Sequence, residues 1–450
     1  MTEAIEPGGD AIAAIARDAL KRIKPSRRDA DRLRGIARDT IARLDGQAAR
    51  MGLDVYATHV GSTARDTWLK GKKDIDIFLM FPPEASREQL EEAGLALARS
   101  VSADFEERYA EHPYITATIE GVDVDLVPCY RVPDAAHIQS AVDRTPFHNA
   151  YVLEHIGGRT DEARLLKQFA HGVGVYGSEL KTQGFSGYLC ELLVVRYGSF
   201  LEAVRAGAGF YRGLVIDLEG HADRTVRHPD PLVVVDPVDP RRNVAAALSE
   251  QKLFEFVDAC RRFLAAPSIA SFFPPAVEPF DEPELIGFLA RRGTLLLAIA
   301  FRSPDVVEDT LYPQLRKASE SVAGMLERHE FRAFAHGAWS AGGWSALVLE
   351  MLVWRLPDVE RHLGPPLEQR EHAARFLEKY PDAYVYGDRY AVNRPRRYRE
   401  VEELIAARLL ECGLGKNVAP SIRNEYVLLT GGSLLSLGPD MGKYLRKFLR

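Results

Sequence analysis

The stretch Asp74-Ile75-Asp76-Ile77-Phe78-Leu79 constrains this chain more than any other. Its alternation of carboxylate and apolar side chains has the two-residue period of a β-strand. Ile75 and Ile77 then belong to a core, while Asp74 and Asp76 share the opposite face. The pattern returns in Val122-Asp123-Val124-Asp125-Leu126-Val127. Like charges brought that close repel, and a folded chain tolerates them best with a hard cation such as Mg²⁺ between them. For either stretch alone, a solvent-facing strand edge is the plain alternative. Further strands are predicted at Asp54 to Val60 and Ile115 to Ile119, rich in β-branched or aromatic residues. A helix from Arg87 to Ser102 joins the second strand to the third, and Glu120-Gly121 turns a hairpin. Residues Asp10 to Gly52 read as helical, with Ile12, Ile15, Ala19, Leu33, Ile36, Ile41 and Leu44 spaced by threes and fours, and would pad one side of the sheet.

At 450 residues the chain exceeds one ordinary core, and about 150 residues per domain gives two to four packed units. After Pro128 the pattern turns helical, at Asp161 to His171, Ser186 to Glu202 and Gln251 to Leu264, with a short apolar run at Leu232 to Val235. The proline-rich segment Ala265 to Pro283 reads as a linker. Beyond it come a strand at Thr294 to Phe301, a helix at Leu311 to His329, strands near Phe331 to Ala335 and Ser345 to Leu352, a hairpin around Gly387-Asp388, and a helix at Tyr398 to Leu410. Antiparallel strands with a helix on one face are common in RNA-recognition folds, by analogy alone. The expectation is an α+β multidomain protein divided at 1–148, 149–265 and 266–450.

Composition excludes several classes. With 46% hydrophobic and 27% charged residues the chain is globular rather than disordered. Its longest apolar runs, such as Leu295 to Phe301, fall short of the roughly 20 residues a membrane span needs. Met1 to Asp10 is acidic and lacks the basic start of a secretory signal, so cytoplasmic residence is expected. Cys129, Cys190, Cys260 and Cys412 stand singly without metal spacing and read as reduced and mostly buried. A net charge of −6 does not decide for or against nucleic acid, because a polyanion responds to local fields. Basic clusters lie at Lys21 to Arg28, Arg394 to Arg399 and Lys443 to Arg450; a solvated face explains any one of them equally well.

The first predicted strand runs into Gly61-Ser62-Thr63-Ala64-Arg65, with a short helix expected through Leu69. Glycine lets a phosphate approach the backbone, and Ser62 offers a hydroxyl and an amide, although an isolated Gly-Ser pair is usually an ordinary capped turn. Asp123 or Asp125 would complete a triad with Asp74 and Asp76, and Asp125 is preferred. Such a triad can hold two metals about 3.5–4 Å apart, one lowering the pKa of an RNA 3′-hydroxyl and one neutralising the departing pyrophosphate. The Gly-Ser turn, the Asp-x-Asp strand and the later carboxylate resemble the nucleotidyltransferase superfamily that includes DNA polymerase beta.

The flanking runs narrow that resemblance. Arg65-Asp66-Thr67-Trp68-Leu69, Arg108-Tyr109-Ala110-Glu111-His112-Pro113-Tyr114, Asp143-Arg144-Thr145-Pro146-Phe147-His148, Gly184-Phe185-Ser186-Gly187-Tyr188, Asp236-Pro237-Val238-Asp239 and Leu414-Gly415-Lys416-Asn417 are similar to the archaeal, class I CCA-adding enzymes. The likeness is close through about residue 275 and looser afterwards. It implies a polymerase beta-like palm, helical neck and RNA-binding body and tail; tRNA, CTP and ATP as substrates; a two-Mg²⁺ site; and addition of C, C and A without a template. It also implies phosphate contacts from Ser62, Arg65, His148, Lys167 and Tyr176 and base reading by Arg242. Family members can carry Glu where Asp74 stands, and either acid can ligate Mg²⁺. From the residues alone Lys167 is equally a surface lysine, Tyr176 and His148 equally packed, and Arg241 competes with Arg242; Tyr188 and Cys190 read as core. A poly(A) polymerase or oligoadenylate synthetase would share the catalytic geometry, and a non-catalytic RNA-binding module would share the fold. Whether two copies form a homodimer is left open.

Overall fold

The computed structural model describes residues 9–109, 111–222 and 229–450, so Met1–Gly8 of the N-terminal reading and Ala110 of the Arg108–Tyr114 run lie outside it. The chain forms two compact units, residues 1–275 and 276–450.

The first unit opens with helices α1 (Gly9–Ile23) and α2 (Arg27–Arg50). One helical stretch was expected here. Pro25 interrupts it, and Ser26 restarts it by accepting a hydrogen bond from the Asp29 backbone N–H at 3.1 Å. Strand β1 (Tyr56–Val60), the single turn α3 (Gly61–Ala64), β2 (Ile75–Phe81), α4 (Arg87–Arg99), β3 (Phe105–Tyr109), β4 (Pro113–Ile119) and β5 (Val122–Tyr130) follow. The strands form one mixed sheet in the order β1-β2-β5-β4-β3, with only β2 and β5 parallel. Glu120 and Gly121, both at positive φ, turn the β4–β5 hairpin. Ile75, Ile77, Leu79 and Phe81 bury one face of β2 against Leu33, Ile36 and Leu44 of α2. The edge strand β3 was not foreseen, since every side chain of Phe-Glu-Glu-Arg-Tyr is exposed and no apolar alternation marks it.

A second, helical core comprises α5 (Thr145–His155), α6 (Thr160–Gly172), α7 (Gly187–Tyr197), α8 (Phe200–Gly207), the parallel pair β6 (Leu214–Ile216) and β7 (Leu232–Val234), and α9 (Glu250–Ala265). Two expectations are corrected here. The apolar face of α1 does not pad the sheet: Ile12, Ala19 and Ile23 pack into this helical core, and Lys24 pairs with Asp161 at 2.6 Å. Residues 186–202 are two helices, because Gly198 at φ 88° ends α7 in the left-handed conformation and Ser199 caps α8. Phe272, inside the proline-rich segment read as a linker, is fully buried and sits 5.8 Å from Phe169, whose ring also meets Phe200, Phe256 and Phe263.

The second unit holds α10 (Glu282–Arg292), β8 (Leu295–Arg302), α11 (Glu308–Arg328), β9 (Arg332–Ala341), β10 (Trp344–Val353), β11 (Val359–Pro366), α12 (Arg370–Lys379), β12 (Tyr384–Tyr386), β13 (Arg389–Pro395), α13 (Val401–Arg408), α14 (Val418–Asn424), β14 (Val427–Thr430) and α15 (Pro439–Phe448). Its main sheet, β14-β8-β10-β9, carries helices on both faces rather than one: Leu297, Ile299 and Phe301 face α11, α13 and α14, while Leu296, Ala298 and Ala300 face α10 and α15. Burial on both sides explains why β8 is continuously apolar instead of alternating. A smaller sheet, β11-β13-β12, packs on α12. Among the described residues no helix is long and apolar enough to cross a membrane, and Cys129, Cys190 and Cys260 are buried while Cys412 is half-buried, all four free.

Because Phe169 touches four other phenylalanines, Phe169→Ala should leave a cavity costing about 3–5 kcal/mol. Chemical denaturation would read this as a lower midpoint with an unchanged slope; a change below about 1 kcal/mol would contradict the packing.

Candidate active site

The parallel pairing of β2 with β5 sets Asp76 directly beside Asp125 in register, and Val60 pairs with Asp76 from the other side. The end of β1, where the chain turns at Gly61, therefore lies against a carboxylate. Gly61 has φ 80°, and a Cβ there would lie 1.9 Å from Asp76 Oδ2, so both conformation and space demand glycine. Asp74 precedes the first strand residue, Ile75, yet lines the same cavity of about 280 Å³ as Asp76, Asp125, Ser62, Lys167 and Tyr176. Asp123 also shares that sheet face but lies beyond the end of β2, opposite Thr118. The helix after Gly61 is one turn, shorter than expected, so the loop's capacity to hold an anion rests on its backbone N–H groups rather than on a helix dipole.

The electrostatics of the patch are those of crowded acids. Burial, then Asp125, pushes the Asp76 carboxyl up to about 7, with Asp74 adding to the effect and Arg65 opposing it. Burial also raises Asp125, although Thr116 Oγ1 donates to its Oδ1 at 2.6 Å and Arg108 lies near. Among the described residues no group of three His, Cys, Asp or Glu side chains encloses a metal unaided. The donor set still fits Mg²⁺, which usually takes one or two carboxylates and completes its shell with water and substrate phosphates.

Behind the cavity lies a cluster the sequence reading did not assemble. Glu191 of α7, fully buried, accepts from Lys167 Nζ at 2.8 Å and pairs with Arg65 Nη2 at 3.0 Å, and Thr67 Oγ1 donates to it as well. Lys167 also donates to Thr67 Oγ1 at 2.9 Å, and Arg65 reaches Asn149 of α5 at 3.2 Å. Burial by itself would raise the Glu191 carboxyl, but Lys167 and Arg65 outweigh it and hold it at about 2. Lys167 is thus no surface lysine. Tyr176 lines the cavity with Lys72 Nζ 5.1 Å from its ring centre.

His148 and Arg242 form a separate group around the buried Asp236, whose Oδ2 lies 2.8 Å from His148 Nε2 and accepts from Arg242 Nη1 at 2.7 Å. Asn243 organises the turn, its Oδ1 accepting from the Val234 and Ala245 N–H groups. Arg241 is exposed and pairs with nothing in this group. Tyr188 is more than core: its ring stacks on His148 at 4.2 Å and its buried hydroxyl has no partner. Asp236, Glu191 and Tyr188 were missed. A lone acid inside Leu189-Cys190-Glu191-Leu192-Leu193 was the available signal, since a buried carboxylate requires partners.

A mixed sheet with paired carboxylates beside a glycine turn defines a nucleotidyltransferase, and a nucleotidyltransferase domain family matches residues 43–148. A tRNA nucleotidyltransferase second-domain family matches 161–273, and a CCA-adding enzyme C-terminal-domain family matches 292–431. The CCA-adding enzyme of Methanosarcina barkeri is 44% identical over 441 residues, covering 96% of this chain and 97% of that protein. That of Halorubrum lacusprofundi is 41% identical over 459 residues, covering 98% and 99%. A solved Cid1 poly(U) polymerase bound to MgATP aligns at TM-score 0.46 and 14% identity, covering 60% of this chain and 100% of that one. This chain belongs to the CCA-adding enzyme family.

Removing the Glu191 carboxylate strands two buried cations. Glu191→Ala should cost about 3–5 kcal/mol, measured by denaturant unfolding. The folded pKa of about 2 lies below the ordinary 4.5, so this stabilisation is complete above about pH 4.5 and fades as pH falls toward 2. In the Ala variant that acid-dependent component should be missing.

Proposed function

We propose that this enzyme adds C, C and A in turn to the 3′ end of tRNA, using CTP and ATP without a nucleic-acid template and releasing pyrophosphate. The observation carrying this reading is the register pairing of Asp76 with Asp125 beside Gly61, in a chain 41–44% identical across nearly its full length to CCA-adding enzymes. Cytoplasmic residence belongs to the same reading.

Asp74, Asp76 and Asp125 would hold two Mg²⁺ ions, which when bound supply Lewis-acid activation of the 3′-hydroxyl and charge neutralisation at the triphosphate. The chain's own residues bind and orient. Gly61 lets the chain turn tightly against Asp76 at the mouth of the carboxylate patch, where Ser62 would add a donor to the phosphates. Tyr176 lines the same cavity and would present a phenol to the triphosphate, while Lys167, its ammonium engaged by Thr67 and Glu191, and Arg65, held by Glu191, keep a positive field behind it. His148, anchored on Asp236 and stacked on Tyr188, would contribute a ring nitrogen to the phosphates. Arg242 has one nitrogen fixed by Asp236 and its remaining donors available for a base edge, the fork geometry that lysine lacks. Attack by the 3′-hydroxyl on the α-phosphate proceeds in line, with no covalent enzyme intermediate.

Incubated with tRNA lacking its 3′ CCA, Mg²⁺, CTP and ATP, the protein should add three nucleotides and stop; a long A tail would instead make it a poly(A) polymerase. Asp76→Asn and Asp125→Asn should each lower incorporation by about 10³-fold or more, since each removes several kcal/mol of transition-state stabilisation. Circular dichroism should be unchanged, and substantial residual turnover in either would defeat the assignment.

A further inference from the structure

The loop between α3 and β2 carries three lysines, Lys70, Lys72 and Lys73, around Gly71. Leu69 to Lys72 is a β-turn closed by the Lys72 N–H on the Leu69 carbonyl at 3.0 Å. Gly71, at φ 95°, takes the left-handed position that such a turn reserves for glycine. The turn separates the lysines. Lys70 is tied by its backbone N–H to the Ile23 carbonyl at the end of α1, at 2.7 Å. The charges of Lys73 and Lys70 act on Asp29 of α2, whose carboxyl is held below its ordinary range by a hydrogen bond from Ser26 and then by these lysines. Of the three, Lys72 lines the catalytic cavity, its Nζ 5.1 Å from the Tyr176 ring centre. It does not neutralise the carboxylates: among the described residues no acid lies within ion-pair distance of it, and the cation felt at Asp76 is Arg65. The other ammonium of the cavity wall, Lys167, is already taken up by Thr67 and Glu191. An exposed cation resting on an aromatic face is left free to meet an anion that arrives.

We propose that Lys72 binds the β- and γ-phosphates of the incoming nucleoside triphosphate, and so also the pyrophosphate product. The assignment rests on the reading that CTP and ATP are the substrates. Lys72 shares one cavity with the carboxylates, so an α-phosphate held at Asp74 and Asp76 leaves the rest of the triphosphate within that space. It is exposed where Lys167 and Arg65 are buried, which puts it at the solvent end, where terminal phosphates project. The base has a different partner in Arg242, which is not part of this cavity's wall. A compact ammonium on a flexible stem can follow phosphates whose positions change during the reaction, as a rigid guanidinium fork would not.

The test uses the full chain. Binding of CTP and of ATP is measured by calorimetric titration with Mg²⁺ and no tRNA; inhibition by pyrophosphate and the KM for tRNA are measured during extension of tRNA lacking its 3′ CCA. Lys72→Ala should weaken CTP and ATP alike by roughly three- to tenfold, the range of an exposed charge-assisted contact. The inhibition constant of pyrophosphate should rise by a similar factor while the KM for tRNA stays the same. Lys72→Arg, which keeps the charge, should recover most of the loss. Lys73→Ala makes the same charge change on the side facing Asp29 and should leave every one of these quantities as in the unaltered enzyme. Unchanged triphosphate affinity in Lys72→Ala overturns the proposal. So does an equal loss in Lys73→Ala, which would reduce the effect to a general field, or a loss confined to one nucleotide, which would place the lysine at the base. A raised KM for tRNA with unaltered nucleotide affinity overturns it too, by making Lys72 an RNA contact. Failure of the unaltered enzyme to extend tRNA would overturn the proposed function instead, because the titration is read without tRNA.

Discussion

The buried carboxylate of Glu191 is the tie on which the rest of the active site depends. It sits on α7, yet its two cations come from elsewhere: Lys167 from α6 and Arg65 from the loop that leaves Gly61. Three elements of two different cores thus converge on one acid. Isolated charges at that depth would be prohibitively costly, so they hold only as a set, and the set fixes the glycine loop relative to the helices. Fully buried Arg164 adds a second clasp, donating to the Trp68 carbonyl at 3.1 Å and to Asp161 at 2.6 Å.

Two electrostatic regimes then stand side by side. Around Asp74, Asp76 and Asp125 acids outnumber cations, and burial with the crowding drives the Asp76 and Asp125 carboxyls upward, which is the condition of a site suited to added positive charge. At Asp236 and Glu191 the reverse holds: cations surround each acid and both are held low. The second regime is self-sufficient and holds its side chains in place; the first is left with unbalanced negative charge. Tyr188 joins the two halves of the second regime, its ring on His148 and its hydroxyl near Asp236, Arg242, Arg65 and Glu191.

What could be read from the sequence follows from which interactions are local. Alternation in residues 74–79 and 122–127 exposed the sheet, its buried face and the three carboxylates, since strand geometry alone dictates which side chains share a side. The β4–β5 hairpin was legible for the same reason. Edge strand β3 was not, because its side chains meet only solvent and leave no pattern. The break at Gly198 had a local signal, a glycine followed by the capping Ser199, which the apolar run on either side masked, whereas the migration of α1 into the helical core depends on packing against distant residues. Likewise His148 and Arg242 gain their meaning from Asp236, 88 and 6 residues away.

Nothing in the carboxylate patch specifies the nucleic acid it serves. The residues that could do so lie on other elements, as the guanidinium fork at Arg242 does for the base. The chain's net charge of −6 is compatible with an RNA substrate because a polyanion is attracted by local fields rather than by the total. On the proposed reading, chemistry and substrate choice rest on different side chains. Substitutions that change which RNA is held need not disturb the metal-assisted step, and the carboxylates can stay fixed while the surfaces around them vary.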